Sequence, residues 1–451
     1  MTTLRSIADY AAVLRDGRTT SSALVEEALE RIGAPSGEGQ RTFVKVYVDK
    51  ARAAAGASDL LRSAGLSRSV LEGLPISIKD LFDVAGETTL AGSLVRQGAP
   101  VAAVDAEVVR RLQAAGAIII GRTNMTEFAY SGLGLNPHYG TPLNPWDRAT
   151  GRIPGGSSSG AAISVADGMA VAGIGSDTGG SVRIPSALCG LAGFKPTARR
   201  VSMRGVLPLS TYLDSVGPIA PTVACCAALD AVLSGELFDI PPPFPLRGLR
   251  LLTPTTVALD DMDTQVAGAF RRALSMLSAA GALVHETPLP AFARMAGINA
   301  KGGFTAAEAW AWHREMVERA SDRYDPRVVS RIRRGNDMSA ADLLDVLQAR
   351  TAWIAEVEAA MTGFDALVMP TVPLVAPSVA ELAASDEAYF RANGLMLRNP
   401  TLINFLDGCA VSIPCHEPDS APVGLMVAGG AMSDRRILSI GRAVEACLRH
   451  V

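Results

Sequence analysis

Apolar positions near the start of the chain recur at helical spacing. Over residues 3–16, Leu4, Ile7, Ala8, Ala11 and Leu14 share one face, with Gly17 as the expected stop. A second helix is predicted over 22–32, with Leu24, Ala28, Leu29 and Ile32 as its stripe and Gly33 ending it. The period then changes. Leu74, Ile76 and Ile78 alternate in a short strand that ends at Lys79. Residues 105–115 return to helical spacing, and the unbroken apolar run 117–120 reads as a buried parallel strand. This alternation predicts an α/β sheet.

Between 131 and 160 the chain is rich in Gly, Pro, Asn and Ser and reads as loop; loops this long inside a compact protein are usually functional. A short helix over 161–167, a small-residue strand over 169–175, a tight turn at 178–180 and a helix opening near Ser181 are expected next. Residues 236–248, with Pro241, Pro242, Pro243 and Pro245, read as a surface connector. A second αβ series follows. It includes an arginine-rich helix over 327–334, whose charges are expected on a solvated face. No internal repeat or low-complexity tail is evident.

Composition narrows the function classes. With 451 residues, 48% hydrophobic and 19% charged, the chain can bury a sizeable core and is not expected to be disordered. Its 42 basic and 45 acidic residues leave a charge of −3, which argues against a nucleic-acid or anionic-membrane partner. Cys189, Cys225, Cys226, Cys409, Cys415 and Cys447 show no CxxC spacing, so neither a disulfide framework nor a structural zinc is expected. Arg5, Asp9, Arg15 and Asp16 interrupt the opening segment where a signal peptide needs an apolar stretch. No apolar run approaches the ~18 residues of a spanning helix. A cytoplasmic globular protein is the expectation.

Three clusters can carry chemistry: Lys79 at a strand end, the Gly/Ser segment 155–160, and Asp177-Thr178-Gly179-Gly180-Ser181. A serine after Gly-Gly at a helix start meets unpaired backbone N–H groups and the positive end of the helix dipole. Those donors can stabilise the oxyanion formed when Ser181 attacks a carbonyl, at about 3–4 kcal/mol each. The same segment also reads as a glycine-rich turn with Ser181 as the N-cap, and both readings stand at this point. In 155–160, GSSSG matches a nucleophile elbow centred on Ser158, but the residues before it are too poor in strand character for that motif.

A serine nucleophile needs a base. His138, His285, His313, His416 and His450 all lie outside the serine-bearing clusters, and His138 is expected to have a hydrogen-bonded loop role. Lys79 is the other candidate. Bringing it from ~10.4 to near 7 takes about three pKa units, roughly 4–5 kcal/mol, which burial can supply.

At this point the sequence resembles the amidase signature family. GSDTGGSVRIPSALCGLAGFKPT (175–197) is similar to its nucleophile region, RIPGGSSSGAA (152–162) to its Gly/Ser-rich segment and GLPISIKDLFDV (73–84) to its lysine segment. Weaker family-like stretches, among them GRTNMTEFAYS (121–131), FDALVMPTVPLVAP (364–377) and NFLDGCAVSIPC (404–415), extend the likeness over most of the chain. The resemblance implies a mixed central sheet flanked by helices on both faces, forming one domain over 1–451. Within it, 1–65 is the helical start, 66–230 the catalytic core, and 249–451 a second αβ part beyond the connector.

It also implies Ser181 as the nucleophile of an acyl-enzyme, Ser157 as a bridging serine after a cis peptide, and Lys79 as the base. The N–H groups of Thr178, Gly179, Gly180 and Ser181 would form the oxyanion hole. Asp177, Arg183, Ser158 and Asp80 are expected to support these groups, and Tyr130, Ser131 and Gly132 match the stretch that lines the acyl pocket in relatives. Trp310, Trp312 and Cys189 are expected to be packed residues. Neither cofactor nor metal is implied. The partner is a small-molecule amide, ester, anilide or carbamate, and the protein a monomer or homodimer.

Two branches compete. One is a free-standing amidase; the other is the glutaminase subunit of a tRNA-dependent amidotransferase. That subunit commonly has Gln after the arginine of the nucleophile segment, where this chain has Ile184, and the loop 132–140 also departs from its pattern. In malonamidase-type relatives an arginine at the position of Ile184 reads a carboxylate, so a dicarboxylate half-amide is not the expected substrate. The α/β-hydrolase with Ser158 as nucleophile is the remaining enzyme alternative.

Overall fold

The structure is a computed structural model that describes residues 4–236 and 240–449. Eleven strands form one sheet: β1 (Phe43–Val46), β2 (Pro75–Lys79), β3 (Ile118–Thr123), β4 (Ala172–Asp177), β5 (Ala192–Lys195), β6 (Ser215–Ala220), β7 (Arg250–Pro254), β8 (Leu283–Thr287), β9 (Ala366–Pro370), β10 (Cys409–Pro414) and β11 (Gly424–Gly429). Their spatial order is β1-β3-β2-β4-β6-β5-β10-β11-β9-β7-β8. β2 runs parallel to β3 and β4, and β7 runs parallel to β8 and β9. The pairs between β4 and β9 are antiparallel, so the sheet is mixed, as the sequence predicts.

Alternation along the strands explains the layers. In β2, Ile76 and Ile78 enter the largest apolar cluster, whereas the hydroxyl of Ser77 between them meets that of Ser164 on the helix Ser159–Ala166 at 2.8 Å. In β10, Val411 and Ile413 belong to that same large cluster and Ala410 to a second one with Met426 and Ala428. Helices Val223–Ser234 and Asp434–Arg449 cover the first face. Among the described residues no helix is long and apolar enough to cross a membrane.

Several predicted elements shift. The first helix spans Ile7–Arg15, because Ser6 and Asp9 close a capping box at its start; Thr3 lies outside the described residues. Ala8 is exposed, so the buried stripe reduces to Ile7 and Leu14. Residues 237–239 of the connector are also outside the described residues. The segment after them is pinned, with Phe244 N–H donating to Ser439 O at 3.0 Å. The arginines of the helix Pro326–Arg333 do not all face solvent: the Arg327 guanidinium lies 4.4 Å from the Tyr389 ring, and that of Arg331 lies 4.4 Å from the Tyr130 ring. Trp312 is exposed, edge-on to Phe128 at 5.9 Å, while Trp310 is half-buried against the main core.

Candidate active site

Lys79 closes β2 and Asp177 closes the adjacent parallel β4, so both stand at the carboxyl edge of the sheet, where α/β proteins place ligands. Lys79 is fully buried. Its Nζ donates to Ser157 Oγ at 2.7 Å and to Ser176 Oγ at 2.9 Å. Burial disfavours the cation and pushes its pKa down to about 7, against the opposing pull of Asp214 and Asp177. A lysine so placed can act as a base near neutrality.

Ser157 follows a cis peptide bond from Gly156, and its carbonyl accepts from Thr126 N–H at 3.1 Å. The next residue, Ser158, donates its N–H to Ser181 O at 3.2 Å, tying the two serine segments together. Gly175 lets them approach: a Cβ there would stand 2.5 Å from Ser158 Oγ.

Asp177 builds the turn after β4. Its carboxylate accepts from the N–H groups of Gly180 at 2.8 Å and Val182 at 3.2 Å, and from Asn404 Nδ2 at 2.9 Å. Arg183 closes a bidentate pair with it, Nη2 to Oδ1 at 2.8 Å and Nε to Oδ2 at 3.0 Å. Burial acts to raise the pKa of Asp177, but the Arg183 guanidinium, Lys195 and Asn404 outweigh it and hold the group well below the usual carboxylate range. Thr178 Oγ1 donates to Asp214 Oδ1. Burial lifts Asp214 to about 6, opposed by that hydroxyl and by the amides of Leu209 and Ser210.

Ser181 lines a cleft together with Thr178, Gly179, Tyr130 and Ser131. The amides of Thr178, Gly179 and Ser181 have no acceptor among the described residues, whereas that of Gly180 is committed to Asp177. No hydrogen bond joins Ser181 Oγ to Ser157 Oγ among the described residues. A base, adjacent hydroxyls and free amide donors around one cavity are the components that acyl transfer requires.

The sequence pattern of the family described as Amidase matches residues 23–438. The chain belongs to the amidase family. It is 36% identical over 452 residues to 2-amino-5-chloromuconic acid deaminase of Comamonas testosteroni, across 98% of this chain and 96% of that one. A glutamyl-tRNA(Gln) amidotransferase subunit of Chloroflexus aggregans is 34% identical over 468 residues, across 96% and 94% of the two chains. A crystal structure of an amidase superposes with a TM-score of 0.88 at 33% identity, covering 98% of this chain and all of the other. As a member of the amidase family, this chain is a hydrolase of carbon–nitrogen bonds in non-peptide amides.

Within this amidase, Lys79, Ser157 and Asp177 with its turn come together as expected, but three expectations need correction. Ser181 does not cap the following helix, which begins at Arg183 with Val182 before it, because Asp177 takes the amide hydrogens of the first turn. The Gly180 amide is not free. Gly132 does not line the cleft: its N–H donates to Asn393 Oδ1 at 2.9 Å, and a Cβ there would meet Ile184 and Leu397. As the residues before it lead one to expect, Ser158 does not stand on an elbow. No strand precedes it, it is fully buried, and its hydroxyl turns to Ser176 O at 3.4 Å.

Asp80, the residue after the lysine, is held by a buried pair with Arg122, Nε to Oδ1 at 2.8 Å. Cys189 is buried. His138 meets Glu127 at 3.1 Å, and no described histidine lines the cleft; His450 lies outside the described residues. The sequence pattern does not single out Ser176, Asp214, Asn404 or Arg331. Asn404 opens a family-like stretch and Ser176 neighbours Asp177, so both had a signal. Asp214 had none, and Arg331 was marked only as part of the solvated 327–334 face.

Proposed function

We propose that this amidase hydrolyses small-molecule amides through an acyl-enzyme on Ser181, with Ser157 and Lys79 as its proton relay. The observation that carries the reading is the 2.7 Å contact between a fully buried Lys79 and Ser157, beside a serine opening on a cleft. Neutral Lys79 takes the Ser157 proton as Ser157 takes that of Ser181, whose oxygen bonds the amide carbon. The amides of Thr178, Gly179 and Ser181 hold the oxyanion. On collapse the C–N bond breaks, and the proton returns through Ser157 to the departing amine. Water then cleaves the ester to release the acid. Catalytic hydrogen bonds commonly tighten only with substrate bound, and the Ser157–Ser181 transfer belongs to that stage. Esters, anilides and carbamates pass through the same oxyanion and fall within its scope.

The similarity to 2-amino-5-chloromuconic acid deaminase supports a small-molecule substrate and the free-standing branch, which we read as a cytoplasmic enzyme acting as a monomer or homodimer. A second reading, the ammonia-releasing component of an amidotransferase, is favoured by the 34% identity to the Chloroflexus aggregans protein. Ser181→Ala lowers turnover of aryl amides, anilides and carbamates by roughly 10⁴-fold or more, and a fluorophosphonate labels Ser181 in the native chain. A label on Ser158, or turnover that survives Ser181→Ala, rejects the assignment. Ammonia release from glutamine only when partner subunits are added selects the second reading.

A further inference from the structure

Arg331 is the one charged side chain among the described residues lining the cleft that holds Ser181. It arrives from the helix Pro326–Arg333, half-buried, with its guanidinium 4.4 Å from the Tyr130 ring and Nη1 donating to the Tyr130 carbonyl. Tyr130 thus fixes both the plane and one corner of the group. Nε and Nη2 make no hydrogen bond to any described residue, and Arg331 forms no ion pair with one. Its helix neighbour differs: Arg327 pairs with Asp386 at 2.8 Å. A half-buried cation without a counter-ion is costly unless a ligand supplies one, and a fixed guanidinium edge matches a carboxylate.

The rest of the wall is largely apolar, with Leu209, Leu213, Phe304 and Phe405. No Asp or Glu lines the cleft among the described residues, so an α-ammonium group would find no counter-charge there. The position where relatives carry a carboxylate-reading arginine holds Ile184, whose Cδ1 would meet a Cβ on Gly180 or Gly132. The charge is supplied from another element.

We infer that the substrate is a carboxylate-bearing amide with an apolar body and no ammonium group, its carboxylate held by Arg331. This rests on the Ser181 reading for the chemistry, but not for the binding. Ammonia release is measured for 4-carbamoylbenzoate and adipamate against their methyl esters. The expected result is a kcat/KM roughly 10- to 100-fold higher for each carboxylate, expressed mainly in KM. Arg331→Met collapses that ratio toward one, and Arg331→Lys restores part of it.

Equal kcat/KM within each pair, or a ratio that Arg331→Met leaves intact, overturns the inference. Ser181-dependent hydrolysis of 4-nitrophenyl butyrate keeps the two claims apart, since it persists when only the carboxylate preference fails. Calorimetry on Ser181→Ala protein tests binding without turnover or any change at Arg331. Tighter binding of 4-carbamoylbenzoate than of its methyl ester supports the inference, and equal affinity rejects it.

Discussion

Lys79 is poised by opposed forces, and the balance has a sign. Burial lowers its pKa to about 7, while Asp214 and Asp177 pull the other way. The base form is neutral, so kcat/KM is expected to fall tenfold per pH unit below about 7 and to level above it. Asp214 titrates near 6, close enough that the observed limb belongs to the pair. Asp214→Asn removes a charge that favours the ammonium, so the limb moves to lower pH. A pH–rate series on both proteins checks this; a limb that stays put or moves up rejects the coupling. Lys79 at its strand end was legible because burial, spacing and family likeness all bear on one residue. Asp214 was not, because its partner Thr178 is 36 residues away and nothing local marks the pairing.

At the scale of the element, the turn between β4 and the helix Arg183–Leu188 is held by one buried ion pair. Removing one partner of such a pair typically costs about 3–5 kcal/mol, because the other charge stays buried without compensation. Arg183→Met is therefore expected to destabilise the chain by that amount and to lower turnover through the displaced turn amides. Urea unfolding measures the first effect, and a loss under about 1 kcal/mol would contradict the role given to the pair. Local pattern found this turn but misplaced its end, since a helix start depends on which amides a side chain captures, and Asp177 captures two beyond Ser181. Pattern also put Ala8 on a buried stripe and the 327–334 arginines in water. Burial there is decided by which surface packs alongside, and the Tyr130 ring that receives Arg331 is 201 positions away in sequence.

The whole molecule makes the turn a joint product of both halves of the chain. β5 of the first half pairs with β10 of the second, so one sheet runs across the connector. Asn404 and Met426, both from the second half, reach Arg183 at the turn, Asn404 also bonding Asp177. A first half folding alone would expose the β5 edge and leave the Asp177–Arg183 pair short of these partners. We propose from that arrangement that the chain folds as a single cooperative unit. Urea transitions followed by far-UV circular dichroism and by tryptophan fluorescence should coincide, because Trp146 reports on the first half and Trp310, Trp312 and Trp353 on the second. Halves 1–238 and 239–451 should label at Ser181 with a fluorophosphonate only when co-expressed. Two separated transitions, or a first half that labels by itself, would place a domain boundary at the connector. The turn would then owe nothing to Asn404.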